Sequence, residues 1–357
     1  INHCVSSHHE CAVIHSTLPT RLLDVGISID SDIKLVETHI LQNHSLIKYC
    51  TLSHCWGKIQ PLRLTQNSRT QFLTKIPFDS LPRTFQDSIS VCRWLRVRYL
   101  WIDSLCIIQD SNEDWLQEAS LMSHVYRGSY LNIAALDAAD CTNGLFFRRD
   151  PFFFKALPPL NNRPLSHRGW VFQERVLCPR VLYFGQQQIL WQCSAMDDII
   201  TEVEPKYSHK MVADFKKSIL DKQWSVTAWI KIVERYTTLS LTVPGDRLLA
   251  IEGIARHIQQ QSGEEYHAGL WRKEMLPQLL WSTKWTGESR ENCAPSWSWG
   301  ATQAQIHWPL WMDRHDCIEL SAIIGIQSQT LPSTTESTTA AALTHGVLAI
   351  RGPLFKV

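Results

Sequence analysis

The chain has 357 residues, 44% hydrophobic and 19% charged, with a formal net charge of +1. That is enough apolar material for a sizeable core, and the balanced charge, without a long Lys/Arg run, argues against a nucleic-acid or anionic-membrane footprint. No apolar run is long enough to span a bilayer, and no signal peptide is visible. The 11 cysteines are scattered rather than packed into a secreted staple pattern, which fits free thiols in a reducing, cytoplasmic compartment. The chain runs from Ile1 to Val357 without an obvious closing element, and the expectation is a fragment or an edited chain. Its 15 tryptophans fit core packing first and the lining of an apolar ligand cavity second.

Near the start, Cys4, His8 and Cys11 have the spacing C-x3-H-x2-C, which offers three zinc ligands. No further ligand pair stands nearby, so the expectation is buried thiols and surface histidines without a metal. Leu18–Gly26 reads as an extended segment closed by a glycine turn, and Ile33–Thr38 as another short strand.

Tyr49–Gly57, YCTLSHCWG, is a strand that runs into a loop. Loops after the C-terminal ends of parallel strands are where ligands bind, so Ser53, His54, Trp56 and Gly57 are ligand-binding candidates. The alternative is a strand-end turn whose tryptophan caps the core. Pro82 opens a helix over 82–96 with Phe85, Ile89, Cys92 and Leu95 on its apolar face.

The stretch from Tyr99 to Ala135 organises the chain. Tyr99–Ile108 is an almost unbroken apolar run and reads as a strand buried on both faces. Asp103 interrupts it. A carboxylate there is costly unless it is paired or stands at a strand end where chemistry happens, so Asp103 is a catalytic candidate. The alternative is a structural acceptor for backbone N–H groups or for Arg98. Ser111 and Asn112 cap a helix over 112–127, with Trp115, Ala119, Met122 and Tyr126 at helical spacing, and 130–135 is apolar again. Helices between apolar strands predict right-handed crossovers and a parallel sheet.

Residues 136–165 are irregular, with a linker marked by Pro158, Pro159, Asn161, Asn162 and Pro164. Arg168–Leu177 is a short helix that places Glu174 one turn after Trp170. A carboxylate beside an indole can be a tuned acid, base or charge stabiliser, and it can also be a surface partner for Arg175 or Arg180. Val181–Phe184 and Gln188–Cys193 form a strand pair around Gly185. Residues 205–240, Asp246–Gln261 and Tyr266–Trp281 are read as helical, Ala294–Gly300 as a tight aromatic segment, and Gln327–Thr339 as a Ser/Thr-rich loop. Cys106 and Cys178 have no sequence-local His partner for nucleophilic catalysis.

Several segments together resemble the fungal heterokaryon-incompatibility (HET) domain: YCTLSHCWG, LPRTFQDSISVCRWLRVRYLWIDSLCIIQD, DWLQEASLMSHVYRGSYLNIAA, GLFFRRDP and RGWVFQERVLCPRVLYF. YTTLSLTVPGDRLLAIEGIA, AGLW and APSWSWG resemble segments C-terminal to that domain in proteins of the family. The resemblance implies an intracellular fungal protein of a family in which many members trigger cell death when unlike hyphae fuse. The domain is more remotely similar to TIR domains, which share a flavodoxin-like parallel sheet and can cleave NAD. In that comparison Tyr49–Gly57 matches the first TIR strand and loop. Trp170–Glu174 matches the Trp-Cys-x-x-Glu pattern, with Val171 in place of Cys, which points to Glu174 as the catalytic candidate.

The expected architecture is therefore an α/β fold, with a TIR/flavodoxin-like parallel sheet flanked by helices and a helical, Trp-rich C-terminal half. Its divisions are an N-terminal extension (1–40), a core (41–200) and a helical region packed on that core (201–357). Three functions are expected. The first is a cell-death effector that cleaves NAD through Glu174, with Trp56, Trp115 or Trp170 stacking on a ring; no glycine-rich phosphate motif is present. The second is a HET-like scaffold turned to secondary metabolism as a cofactor-free cyclase or pericyclase, such as a Diels–Alderase, with an apolar pocket. The third is a non-catalytic, self-associating signalling module. The partners expected are a small-molecule ligand and further copies of the chain, with NAD as substrate rather than bound cofactor.

Overall fold

A computed structural model describes residues 1–11, 18–58, 60–149, 162–196, 200–201, 216, 219, 224–284, 294–309, 322–329 and 345–351. The chain divides into two units, Ile1–Lys217 and Ser218–Val357.

The first unit is built on an eight-stranded sheet. Its strands are β1 (Arg21–Asp24), β2 (Lys34–Glu37), β3 (Tyr49–Ser53), β4 (Tyr99–Trp101), β5 (Leu131–Ala134), β6 (Arg180–Phe184), β7 (Ile189–Cys193) and β8 (Ile200–Thr201), in the order β2-β1-β4-β3-β5-β6-β7-β8. The four central strands are parallel, with Thr51 of β3 beside Trp101 on one side and Asn132 on the other. Antiparallel pairs flank them, β2-β1-β4 on one side and β6-β7-β8 on the other. Every residue of β3 and β5 is buried, as strands covered on both faces require.

Among the described residues, this unit has six helices with defined bounds: α1 (Asn2–Ser7), α2 (Gln66–Thr74), α3 (Arg83–Trp94), α4 (Asp103–Cys106), α5 (Asn112–Arg127) and α6 (Gly169–Leu177). Each central crossover contains one of the long helices, α3 between β3 and β4, α5 between β4 and β5, and α6 between β5 and β6. The α5 start reflects its local chemistry, because the Ser111 hydroxyl accepts the Asp114 N–H and acidic residues fill the first turn. Ala119, Met122 and Tyr126 then face the core. The main core gathers Leu22, Leu23, Tyr49, Cys50, Phe85, Ile89, Leu100, Trp101 and Ile133 around the central strands.

The expected strand Tyr99–Ile108 is shorter in the structure. It ends at Trp101, and Asp103 opens the one-turn helix α4. Leu105 and Cys106 are fully buried in that turn. A short apolar run therefore could not separate a buried strand from a buried helical turn.

Among the described residues the second unit holds α7 (Val226–Tyr236), α8 (Leu249–Ser262), α9 (Met275–Gln278) and three antiparallel strand pairs. Tyr266–Trp281, expected as helix, instead forms the hairpin of β9 (Tyr266–His267) with β10 (Leu270–Trp271), and α9 comes after it. Left-handed backbone at Gly263, Ala268 and Gly269 ends the helix and turns the chain, which no continuing helix permits. Gly269 also lies against an indole: a Cβ there would come 2.6 Å from Trp299 Nε1. The Gly269 carbonyl accepts from Trp229 Nε1 at 2.8 Å and from Trp299 Nε1 at 2.9 Å. These tryptophans are core packing. Of the expected Gln327–Thr339 loop, Gln327–Gln329 belong to a strand and the rest lies outside the described residues. The expected helix before 216 and the linker at Pro158–Asn161 also lie outside them.

Candidate active site

Parallel strands point their C-terminal ends to the same side, and the chemistry of this unit gathers there. Ser53 ends β3, and Asp103 lies two residues past the end of β4. Glu174 comes from the second turn of α6, the crossover that leads into β6.

Glu174 is buried, at 5% exposure. The Ser53 hydroxyl donates to its Oε2, and Tyr126 of α5 also hydrogen-bonds the carboxylate. Burial pushes the Glu174 carboxyl up to about 7. The charge of Arg168 and the Ser53 and Tyr126 hydrogen bonds oppose that rise, while Asp103 adds to it. Behind Ser53 a buried amide fixes the hydroxyl. Asn132 of β5 donates from Nδ2 to Ser53 Oγ at 2.9 Å, and its Oδ1 accepts from Thr51 Oγ1 at 3.1 Å.

Asp103 serves the neighbouring loop. Its Oδ2 accepts from the Trp56 indole at 2.9 Å, and its Oδ1 accepts the Ser104 N–H at 2.7 Å. Arg98, the other partner considered for Asp103, pairs with Asp24 instead. His54 Nδ1 lies 3.9 Å from Asp103 Oδ1. The His54 ring meets Phe85 edge-on, and burial pulls it down to about 4, so it is neutral at pH 7. Its Nε2 has no hydrogen-bond partner among the described residues. Arg168, next to α6, donates to the His54 carbonyl and so joins the β3 loop to the helix that carries Glu174. Gly57 closes the loop with φ of +70° and its backbone against Asp140.

Trp115 of α5 and Trp170 of α6 form an edge-to-face pair, 6.5 Å between centroids, both half-buried. Trp170 shares a helix face with Glu174. Cys106 and Cys178 are both fully buried. Burial raises the Cys106 thiol to about 12, and Cys178 is engaged by Ser129, which makes both poor nucleophiles. Cys4, His8 and Cys11 come together in a separate cluster with Cys193.

Three residues of the centre, Tyr126, Asn132 and Arg168, are additional to those singled out by sequence. Asn132 had a signal, since it interrupts the apolar run LNIAA as Asp103 interrupts its own. Tyr126 looked like one more core position on an amphipathic face. Arg168 lay in the same segment as Glu174 without a spacing that distinguished it.

Residues 49–160 match the family model of the heterokaryon incompatibility protein (HET). Over that span the chain is similar to the HET domain. The match takes in Ser53, His54, Trp56, Gly57, Asp103, Trp115, Tyr126 and Asn132, and it ends before α6 with Arg168, Trp170 and Glu174. No curated protein and no solved structure matches the chain. At the level of the family, the match supports a heterokaryon-incompatibility-type function.

Proposed function

We propose that the HET domain acts in incompatibility as an enzyme that hydrolyses the nicotinamide–ribose bond of NAD, with Glu174 as its catalytic carboxylate. The observation that carries this reading is the contact of Glu174 with Ser53 at the C-terminal end of β3, where a buried carboxyl ionises at about 7. A group poised there can carry negative charge at working pH while surrounded by fixed dipoles and little water.

The chemistry needs little else. The C1′–N bond breaks and its electron pair goes to the pyridinium nitrogen, which leaves as neutral nicotinamide. The ribose acquires oxocarbenium character, and ionised Glu174 stabilises it. Water adds to C1′ and loses its proton to the carboxylate or to solvent, giving ADP-ribose. Trp115 and Trp170 offer faces and edges for ring stacking, and Arg168 supplies positive charge close to the carboxylate.

The test is incubation of the purified protein with NAD, dilute and at high concentration, with nicotinamide and ADP-ribose monitored by chromatography. Turnover that disappears in Glu174→Gln is expected. A folded wild-type protein that leaves NAD intact in both states would overturn the reading.

A further inference from the structure

A second cluster of reactive side chains lies away from Glu174, where the N-terminal segment meets the antiparallel flank of the sheet. Cys4 lies in α1, His8 caps its end, Cys11 ends the next short 3-10 helix, and Cys193 ends β7. Their four ligand atoms, three Sγ and one imidazole nitrogen, all lie within 4.8 Å of one another. His8 Nδ1 is 3.5 Å from Cys193 Sγ and 3.9 Å from Cys11 Sγ. A tetrahedral zinc ion with bonds of about 2.3 Å to sulfur and about 2.0 Å to nitrogen sets its ligand atoms about 3.5–3.8 Å apart. The two imidazole–sulfur distances fall close to that spacing, and the remaining ligand atoms, within 4.8 Å of one another, need only close in by about 1 Å at most.

The surroundings match it as well. The Ala195 N–H, two residues after Cys193, hydrogen-bonds the sulfurs of Cys11 and Cys193. Such N–H groups stabilise thiolates and orient them toward a metal. Arg180, 2% exposed, hydrogen-bonds the Cys4 sulfur and donates to the Cys11 carbonyl at 2.7 Å. Lys216, also 2% exposed, is close enough for its charge to act on Cys11 and Cys193. Neither cation pairs with a carboxylate among the described residues. A zinc ion held by three thiolates and a neutral imidazole carries net charge −1, which gives these buried cations a counter-charge.

We propose that Cys4, His8, Cys11 and Cys193 form a structural zinc site that fastens the N-terminal segment to β7. Four protein ligands leave no open position, so the site is structural rather than catalytic. Zinc replaces the thiol protons, and each thiolate donates a lone pair without any change of oxidation state. The metal-free expectation drawn from the Cys4–Cys11 spacing lacked the fourth ligand, which the sheet delivers from Cys193.

The test has two parts, neither of which reads enzymatic activity. Protein purified under reducing conditions without chelator is analysed for metal, and about one zinc per chain is expected. The zinc is then removed and Co²⁺ added alone. The visible bands of tetrahedral cobalt and a near-ultraviolet thiolate-to-cobalt band are expected. Cys193→Ser and Cys11→Ser should lose both bands, and Cys92→Ser, outside the cluster, should keep them. A folded, fully reduced wild-type protein that holds no zinc and gives no cobalt bands overturns the proposal without reference to any variant. So does a disulfide among these cysteines in protein kept reduced throughout.

Discussion

The Ser53 hydroxyl donates to Oε2 of Glu174 although the two residues stand 121 positions apart. This contact lowers the pKa that burial raises, so it helps set where the carboxylate ionises. Ser53→Ala removes a donor that favours the charged form. If ionised Glu174 drives NAD hydrolysis, the acid limb of that activity lies near pH 7, and the variant is expected to move it to higher pH. Activity at high pH should then fall less than activity at pH 7. A pH–rate profile of kcat for wild type and variant checks this, and an unmoved limb would show that Glu174 does not govern the rate.

Glu174 and His54 have opposite effects on the pH dependence of stability. The Glu174 carboxyl is raised from 4.5 to about 7, so between those values the folded state holds a proton that the unfolded state has lost, and stability falls as pH rises. Above that window the cost is constant, at about 3 kcal/mol. His54 is lowered from 6.5 to about 4, so in that window the unfolded state holds the extra proton and stability falls as pH falls. The two slopes oppose each other over most of the same range. Glu174→Gln is therefore expected to raise stability at pH 8 more than at pH 5, and to unmask the acid sensitivity due to His54. Denaturant titrations of wild type and Glu174→Gln across pH 4 to 8 decide it; parallel curves would contradict the assignment.

Arg21 holds two carboxylates of α5 to β1. Its Nη2 lies 2.6 Å from Asp114 and 3.4 Å from Glu118, and its Nε donates to the Cys106 carbonyl at 2.7 Å. Glu118 is 1% exposed. Arg21→Met leaves this buried carboxylate without its cation and is expected to destabilise the first unit by about 3–5 kcal/mol. Arg21→Met with Glu118→Gln should recover part of the loss. Urea unfolding of both variants measures it.

Gly57 is a steric requirement. A Cβ there would lie 2.3 Å from Asp140 Cβ, on a backbone with φ of +70°. Gly57→Ala is expected to cost at least about 1–2 kcal/mol from the left-handed backbone alone. It should also displace Trp56 from Asp103. Thermal unfolding with tryptophan fluorescence checks both effects, and an unchanged Tm would refute the close approach.

Local patterns carried much of this fold in the sequence. The bounds of α5 were readable because its cap, acidic first turn and apolar face all lie within one segment. The strand–helix–strand order implied the parallel centre, and Trp170 and Glu174 were one turn apart on any helix. Contacts between distant segments were not readable. The antiparallel placement of β1 between β2 and β4 depends on pairing that spacing does not encode. Cys193 is 185 positions from His8, beyond any local ligand motif. Asn132 and Arg168 acquire their roles only when β5 and α6 meet Ser53 and His54.

The nine described cysteines form no disulfide and are all buried, among them Cys50, Cys92 and Cys106 at 0% exposure in the main core. An alkylating reagent reaches such sulfurs only when the surrounding strands and helices part. The speed at which each one is labelled thus times the opening of its own neighbourhood, and the protein brings its own set of clocks for fluctuations that no static picture records.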